Sequence, residues 1–280
     1  MKLRSACSKW SRSGRKSALA TISFAITLLT LVAGCAGTRP VESKPQTELP
    51  TSSDQTDNQK RAQIRLQLAI GYFEQRQLNV ALDELKQALA ADPNFADAYS
   101  VRALVYMDMG ETRLADENFQ SAMRLSPNNP DLNNNYGWYL CQNERVPQSI
   151  AYFDAALKNR AYQSPAKALN NAGVCSLKLK DITAAEQYFV QAFQYEPGNT
   201  ANNVNLAKIY YDKAEFQRAR FHAGRVTKEE GVSAETLWLA IRIEHKLGDR
   251  AAELSLATQL KRRHPGSAEY AAFQRGAFNE

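Results

Sequence analysis

The sequence predicts an all-α protein, a right-handed solenoid of six stacked helical hairpins, and three features of the chain predict it. Prolines recur at multiples of one length: Pro93 and Pro127 are 34 residues apart, Pro197 and Pro265 are 68 apart, and the 70 residues from Pro127 to Pro197 make two units plus two residues. Laid on that period the chain divides into units 62–95, 96–129, 130–165, 166–199, 200–233 and 234–267. Small residues then fall in columns: position eight is Ala69, Ala103, Gly137, Gly173 and Ala207 before Ile241, and position twenty is Ala81, Ala115, Ser149, Ala185 and Ala219 before Glu253. A fixed period of this length signals a repeat architecture, because one unit cannot bury its apolar face alone and must stack on its neighbours.

Within each unit the apolar spacing fits two amphipathic helices. Tyr72, Tyr106 and Tyr210 occupy position eleven of the first helix, while Phe119, Phe153 and Phe189 occupy position twenty-four in the second. Ala88, Ala122, Ala156 and Ala192 fill position twenty-seven before it loosens to Val226 and Leu260. Turn signals sit between the helices at one offset, at Gly110-Glu111, Lys180-Asp181 and Gly248-Asp249. The third unit has Ala161 in place of its proline and a longer connection through Gln163-Ser164-Pro165, where a change of superhelix pitch is expected. The sixth unit carries Ile241, Glu244 and Glu253 at positions that are small or aromatic elsewhere, as expected of a terminal unit with one solvated face, and residues 268–280 are expected to form a tail. Over residues 62–267 the pattern resembles the tetratricopeptide repeat (TPR) family.

Charge argues against nucleic acid. The 35 basic and 29 acidic residues give a formal net charge of +6, but six of the basic residues, Lys2, Arg4, Lys9, Arg12, Arg15 and Lys16, precede an apolar run from Ala18 to Gly34. The rest of the chain is balanced, so no basic surplus remains to displace counterions from phosphates. A basic stretch, an apolar run and then a polar sequence is the layout of an export signal, here residues 1–34. The run ends Leu31-Val32-Ala33-Gly34-Cys35, which resembles the lipobox of bacterial lipoproteins; Cys35 is the expected lipid attachment and the link to the membrane. Ala36, where Asp would resemble an inner-membrane retention signal, favours the periplasmic face of the outer membrane. Residues 35–60 hold too few large apolar side chains to fold and are expected to be a flexible tether.

Positions two, five, six, nine, twelve and thirteen of the first helices are expected to face an inner groove. Position six carries Asn135, Asn171 and Asn205, with Asn134 and Asn170 at position five and Trp138 at position nine. A carboxamide both donates and accepts, so such a ladder can pair with successive peptide groups of an extended guest, and Trp138 offers a rigid anchor for an apolar side chain. The competing role is capping or loop bracing, which suits Asn133 and Asn134 just after Pro130-Asp131. Trp238, at position five of the last unit, is either groove-facing or a core residue covered by the tail. With Cys7 in the leader and Cys35 lipidated, Cys141 and Cys175 remain on neighbouring first helices, where either a bridge or two buried thiols fits.

The run Asn133-Asn134-Asn135-Tyr136-Gly137-Trp138-Tyr139-Leu140-Cys141, followed by Asn170-Asn171-Ala172-Gly173-Val174-Cys175, goes beyond a generic repeat. Together with the lipobox, the tether and the six units it resembles the type IV pilus biogenesis and stability lipoproteins, the pilotins. That resemblance implies a scaffold that helps localise or assemble the secretin pore through which the pilus emerges, and a bond between Cys141 and Cys175. A scaffold for another envelope machine, serving peptidoglycan or outer-membrane protein assembly, is the alternative. Catalysis is not expected: His222, His245 and His264 have no nucleophile-like or ligand-like company, no glycine-rich phosphate loop follows a strand, and the cysteines lack metal spacing, so neither cofactor nor metal is expected. The partner is a protein client, and the chain itself is expected to be a monomer.

Overall fold

The computed structural model describes residues 54–279. The expected signal peptide 1–34, the lipid attachment at Cys35 and the tether as far as residue 53 lie outside the described residues. Thirteen helices span the described residues, with no strand among them. They pair as α1 (Asp57–Glu74) with α2 (Leu78–Ala91), α3 (Ala96–Asp108) with α4 (Thr112–Leu125), and α5 (Pro130–Gln142) with α6 (Val146–Lys158). The series continues as α7 (Pro165–Lys178) with α8 (Ile182–Tyr195), α9 (Thr200–Asp212) with α10 (Phe216–Val226), and α11 (Ala234–Leu247) with α12 (Arg250–Arg263), followed by α13 (Ala268–Arg275).

The chain marks these helices locally. The residue before a first helix is its N-cap: Asn129 Oδ1 accepts the Leu132 amide at 3.1 Å, Asn199 Oδ1 accepts that of Asn202 at 3.0 Å, and Ser233 and Ser267 do the same one and two units later. Between the two helices of every unit one residue adopts a left-handed conformation: Arg76, Gly110, Glu144, Lys180, Ala214 and Gly248. This turn lets the next amide reach back to the carbonyl of position eleven, as in Gln77 to Tyr72 at 2.8 Å and Asp181 to Ser176 at 3.0 Å, which satisfies a carbonyl the helix end leaves open.

The core is a series of hydrophobic layers, one per joint. Phe119, Phe153 and Phe189 are fully buried, each contributing about 2–3 kcal/mol of apolar burial. Glycine at position eight makes room for two of them: a Cβ on Gly137 would lie 2.9 Å from the Phe153 ring, and one on Gly173 2.6 Å from Phe189. In the lengthened connection after α6, Tyr162 is buried against Ala156 and Ala168.

Three expectations are corrected at the ends of the stack. The tether does not run to residue 60: Thr56 and Gln59 form a capping box and α1 starts at Asp57, which adds an extra turn ahead of the first unit. The expected tail 268–280 is not merely a tail, because Ala268 stands 34 residues after Ala234 and α13 packs on α11 and α12 in the place of the first helix of a seventh unit. Nor do Ile241, Glu244 and Glu253 mark a solvated face. Ile241 is fully buried under α13, Glu244 is buried and ion-paired to Arg220, and Glu253, 2% exposed, pairs with Arg250 and lies 3.2 Å from His245 Nδ1. A buried carboxylate without these partners would be costly, so the departures in the sixth unit come with their own cations.

Candidate functional site

The first helices line an inner wall, and three surface depressions lie along them. One is bordered by Gln63, Leu66, Gln67 and Ile70 on α1 with Asp97, Ser100 and Val101 on α3; another by Lys167, Asn170 and Asn171 on α7 with Ala201 on α9; a third by Lys208, Tyr211 and Asp212 on α9 with Glu235, Trp238, Leu239 and Arg242 on α11. These are positions two, five, six, nine, twelve and thirteen of their units.

The asparagines along this wall divide into three groups. Asn133 and Asn203, at position four, brace the loops before their own helices: Asn133 Nδ2 donates to Pro127 O at 2.9 Å and Asn129 O at 2.8 Å, and Asn203 repeats both bonds on Pro197 and Asn199 at 2.9 Å. A second group bonds unit to unit. Asn171 Nδ2 donates to Asn134 Oδ1 at 2.9 Å, Asn134 Nδ2 to Asn135 Oδ1 at 3.3 Å, and Asn135 Nδ2 to Ser100 Oγ at 3.2 Å. Asn134 is 1% exposed, so the expectation that it meets a guest is corrected: its carboxamide is committed to joining α5 to α7. Asn135 and Asn171 remain half-buried, each amide donating one bond to the same chain.

The third group is where that chain stops. By the spacing of the earlier rungs, position six of the fifth unit should donate to position five of the fourth. Instead Asn170 Oδ1 is buried with no hydrogen-bond partner, and Asn205 is half-buried one unit along. An unpaired buried acceptor costs about 1–3 kcal/mol, a penalty that an incoming N–H can relieve.

Trp138 is half-buried on the wall and packs against the cluster of Cys141, Phe153, Ala172 and Cys175. The two sulfurs are within bonding distance, with their Cα atoms 6.0 Å apart. Lys178 Nζ reinforces the same joint by donating to Gln142 Oε1 at 3.0 Å and Cys141 O at 3.3 Å. The indole therefore stands on a joint between the third and fourth units that both sulfurs and Lys178 bridge. Trp238 is both groove-facing and covered: it is 9% exposed, and Phe278 stacks on it with ring centroids 5.5 Å apart.

Electrostatics along the wall are mixed. Burial, with Asp131 nearby, raises the carboxyl of Asp97 although Asn129 Nδ2 donates to it at 3.0 Å. On the outer helices His222 is the one strongly shifted base. Burial and then the charges of Arg218 and Arg225 push it down to about 4, and its Nδ1 lies 2.9 Å from Asn203 Oδ1. Among the described residues no group of His, Cys, Asp and Glu could hold a metal ion, and no helix is long and apolar enough to cross a membrane.

Matches to the tetratricopeptide repeat family cover residues 72–110, 101–164, 137–197 and 176–240. The type IV pilus assembly protein PilF of Pseudomonas aeruginosa is 30% identical over 209 residues, which are 75% of this chain and 83% of that protein. The chain belongs to the type IV pilus biogenesis TPR family. A crystal structure of PilW, a widely conserved type IV pilus biogenesis factor, aligns with a TM-score of 0.67 at 30% identity, covering 76% of this chain and 98% of that one. A structure of Pseudomonas aeruginosa PilF aligns with a TM-score of 0.73 at 28% identity, covering 79% and 100%. The likeness to these TPR proteins thus takes in the whole length of both solved chains. Sequence reasoning missed Lys208, Tyr211, Arg242 and Phe278 on the inner wall of this family member. The continuing 34-residue register to Ala268, with an aromatic residue beyond it, was the signal available.

Proposed function

We propose that this chain is a lipid-anchored scaffold of type IV pilus biogenesis, a pilotin held at the periplasmic face of the outer membrane through Cys35. In this reading it binds the secretin, or a pilus component that acts with it, and promotes localisation, multimerisation or stability of the pore. Membership of the pilus biogenesis family carries the reading. The open rung at Asn170, on the helix next to the one that carries Trp138, supports the middle of the groove as the binding site: an extended client segment supplies the missing N–H to Asn170 Oδ1, pairs with Asn205 and lays an apolar side chain on the indole. Asn134 and Asn171 act in the same site at one remove, by holding the units in register.

The experiment is a pull-down of the lipidated chain from detergent-solubilised outer membranes, paired with deletion of the gene. Loss of surface pili with less secretin multimer is the expected phenotype; normal pili with an altered cell wall or outer-membrane protein profile would replace this reading with the other envelope scaffold. For the groove, the triple variant Asn170→Ala, Trp138→Ala, Asn205→Ala is expected to keep its helicity and lose at least about tenfold in client affinity, as fits a desolvated aromatic anchor with two amide contacts. Unchanged affinity would remove the groove from the proposal.

A further inference from the structure

Residues 277–279 lie on the wall that the proposal above leaves unused. After α13 the backbone turns at Gly276, which has a φ of 70° and caps the helix, and the last residues run back across the first helix of the sixth unit. Phe278 stacks between two groove positions, 5.5 Å from the Trp238 ring and 3.8 Å from the His245 ring with the latter planes only 3° apart. Its carbonyl accepts from Arg242 Nε at 3.1 Å, and Asn279 Oδ1 accepts from Lys246 Nζ at 2.8 Å. Trp238, Arg242, His245 and Lys246 are positions five, nine, twelve and thirteen of the unit, the set that faces the groove elsewhere. The sixth unit therefore holds a short turn of chain through one aromatic side chain and one backbone carbonyl.

This seat does not end where the tail ends. The depression lined by Lys208, Tyr211, Glu235, Leu239 and Glu269 adjoins Trp238 and Arg242 on the side of the fifth unit. Arg242 links the two, lying 4.7 Å over the Tyr211 ring while it binds Phe278 O. A segment longer than the tail, entering with an aromatic residue in the Phe278 place, gains the adjoining depression as well. The tail, in contrast, is tethered through Gly276 and Ala277, which keeps its ring at high effective concentration over the seat.

We propose that the inner wall of the sixth repeat is a binding site for a short protein segment carrying an aromatic residue, and that Phe278 fills it in cis until such a segment displaces it. The inference does not depend on which envelope machine the protein serves. The α13 helix stays in place during the exchange, because Tyr270, Ala272 and Phe273 keep their own packing on the core of the sixth unit, and only the edge contact of Phe273 with Phe278 is lost. Of the described residues, only 277–279 need leave.

The test uses the full-length chain in detergent and a labelled synthetic peptide of residues 274–280, with a second peptide carrying Phe278→Ala as control. Fluorescence anisotropy is expected to show the first peptide binding the Phe278→Ala protein at least about tenfold more tightly than wild type, since removing a cis competitor raises the fraction of open seats. The control peptide is expected to bind neither protein, and adding Trp238→Ala to the Phe278→Ala protein is expected to abolish binding. Circular dichroism checks that the variant is folded; should it not be, Phe278→Leu, which keeps apolar cover but loses the stacking, takes its place with the same expected order of affinities. Equal binding to the wild-type and variant proteins, binding of the control peptide, or no binding to a folded variant would each overturn the proposal.

Discussion

At the scale of single residues, the asparagines show how much a side chain's role depends on what stands beside it. Asn133, Asn134 and Asn135 are consecutive, yet the first braces its own loop, the second is buried in a bond to the next unit, and the third reaches Ser100 in the unit before. His222 shows the same dependence for a charge. Asn203 Nδ2 spends its protons on two backbone carbonyls, so its Oδ1 must accept, and the His222 ring supplies the N–H as a neutral imidazole. The folded-state pKa of about 4 lies below the ordinary value of 6.5, so as pH falls through 6.5 the unfolded chain takes up a proton that the folded chain resists. Stability is therefore lost between pH 6.5 and about 4, with a slope that approaches about 1.4 kcal/mol per pH unit from this one group. Urea midpoints across that window are expected to fall more steeply for wild type than for His222→Gln; parallel curves would clear His222 of the effect.

At the scale of the element, every helical hairpin closes through the same left-handed residue at position fifteen, but only Gly110 and Gly248 among the six are glycine. A residue with a Cβ is strained there by about 1–2 kcal/mol, while glycine costs about 0.5–1 kcal/mol in unfolded-state entropy, so the balance favours glycine slightly. Lys180→Gly is expected to raise stability by about 0.5–1 kcal/mol and Gly110→Ala to lower it by a similar amount, both read from urea denaturation. A destabilised Lys180→Gly would mean that the lysine makes a contact outweighing its backbone strain. The capping residues follow the same logic at the other boundary, since Asn129, Asn199, Ser233 and Ser267 each accept an amide that the first turn of the next helix cannot satisfy internally.

At the scale of the whole molecule, a solenoid is held by its joints, and the joint between the third and fourth units carries a connection two residues longer than most and several kinds of tie. It combines the Cys141–Cys175 contact, the Lys178 bridge, the Asn171 to Asn134 bond and a hydrogen bond from Tyr188 Oη to Asp154 Oδ1 at 2.9 Å. We propose that the two cysteines are bonded in the exported protein. Their sequence separation of 34 implies that the bond restricts the unfolded chain by up to about 4 kcal/mol. Reductant is then expected to lower the melting temperature of wild type and leave Cys141→Ser/Cys175→Ser unchanged; a wild-type melt indifferent to reductant would mean that the thiols are free.

The repeat length, the paired helices, the small residues at the crossings and the inward positions were all legible in the sequence of this family member, because stacking forces identical units to place equivalent residues alike. Glu253 and Asn134 were not. Whether a carboxylate or carboxamide is exposed, paired or open depends on partners that the fold brings from neighbouring helices, as Asn171 is brought to Asn134 across 37 residues. The same holds for the return of Phe278 onto Trp238: periodicity announces a seventh first helix at Ala268, but only the turn at Gly276 decides that the residues after it cross the inner wall. Periodic burial is written along the chain; the pairing of polar and aromatic groups between units is settled when the units stack.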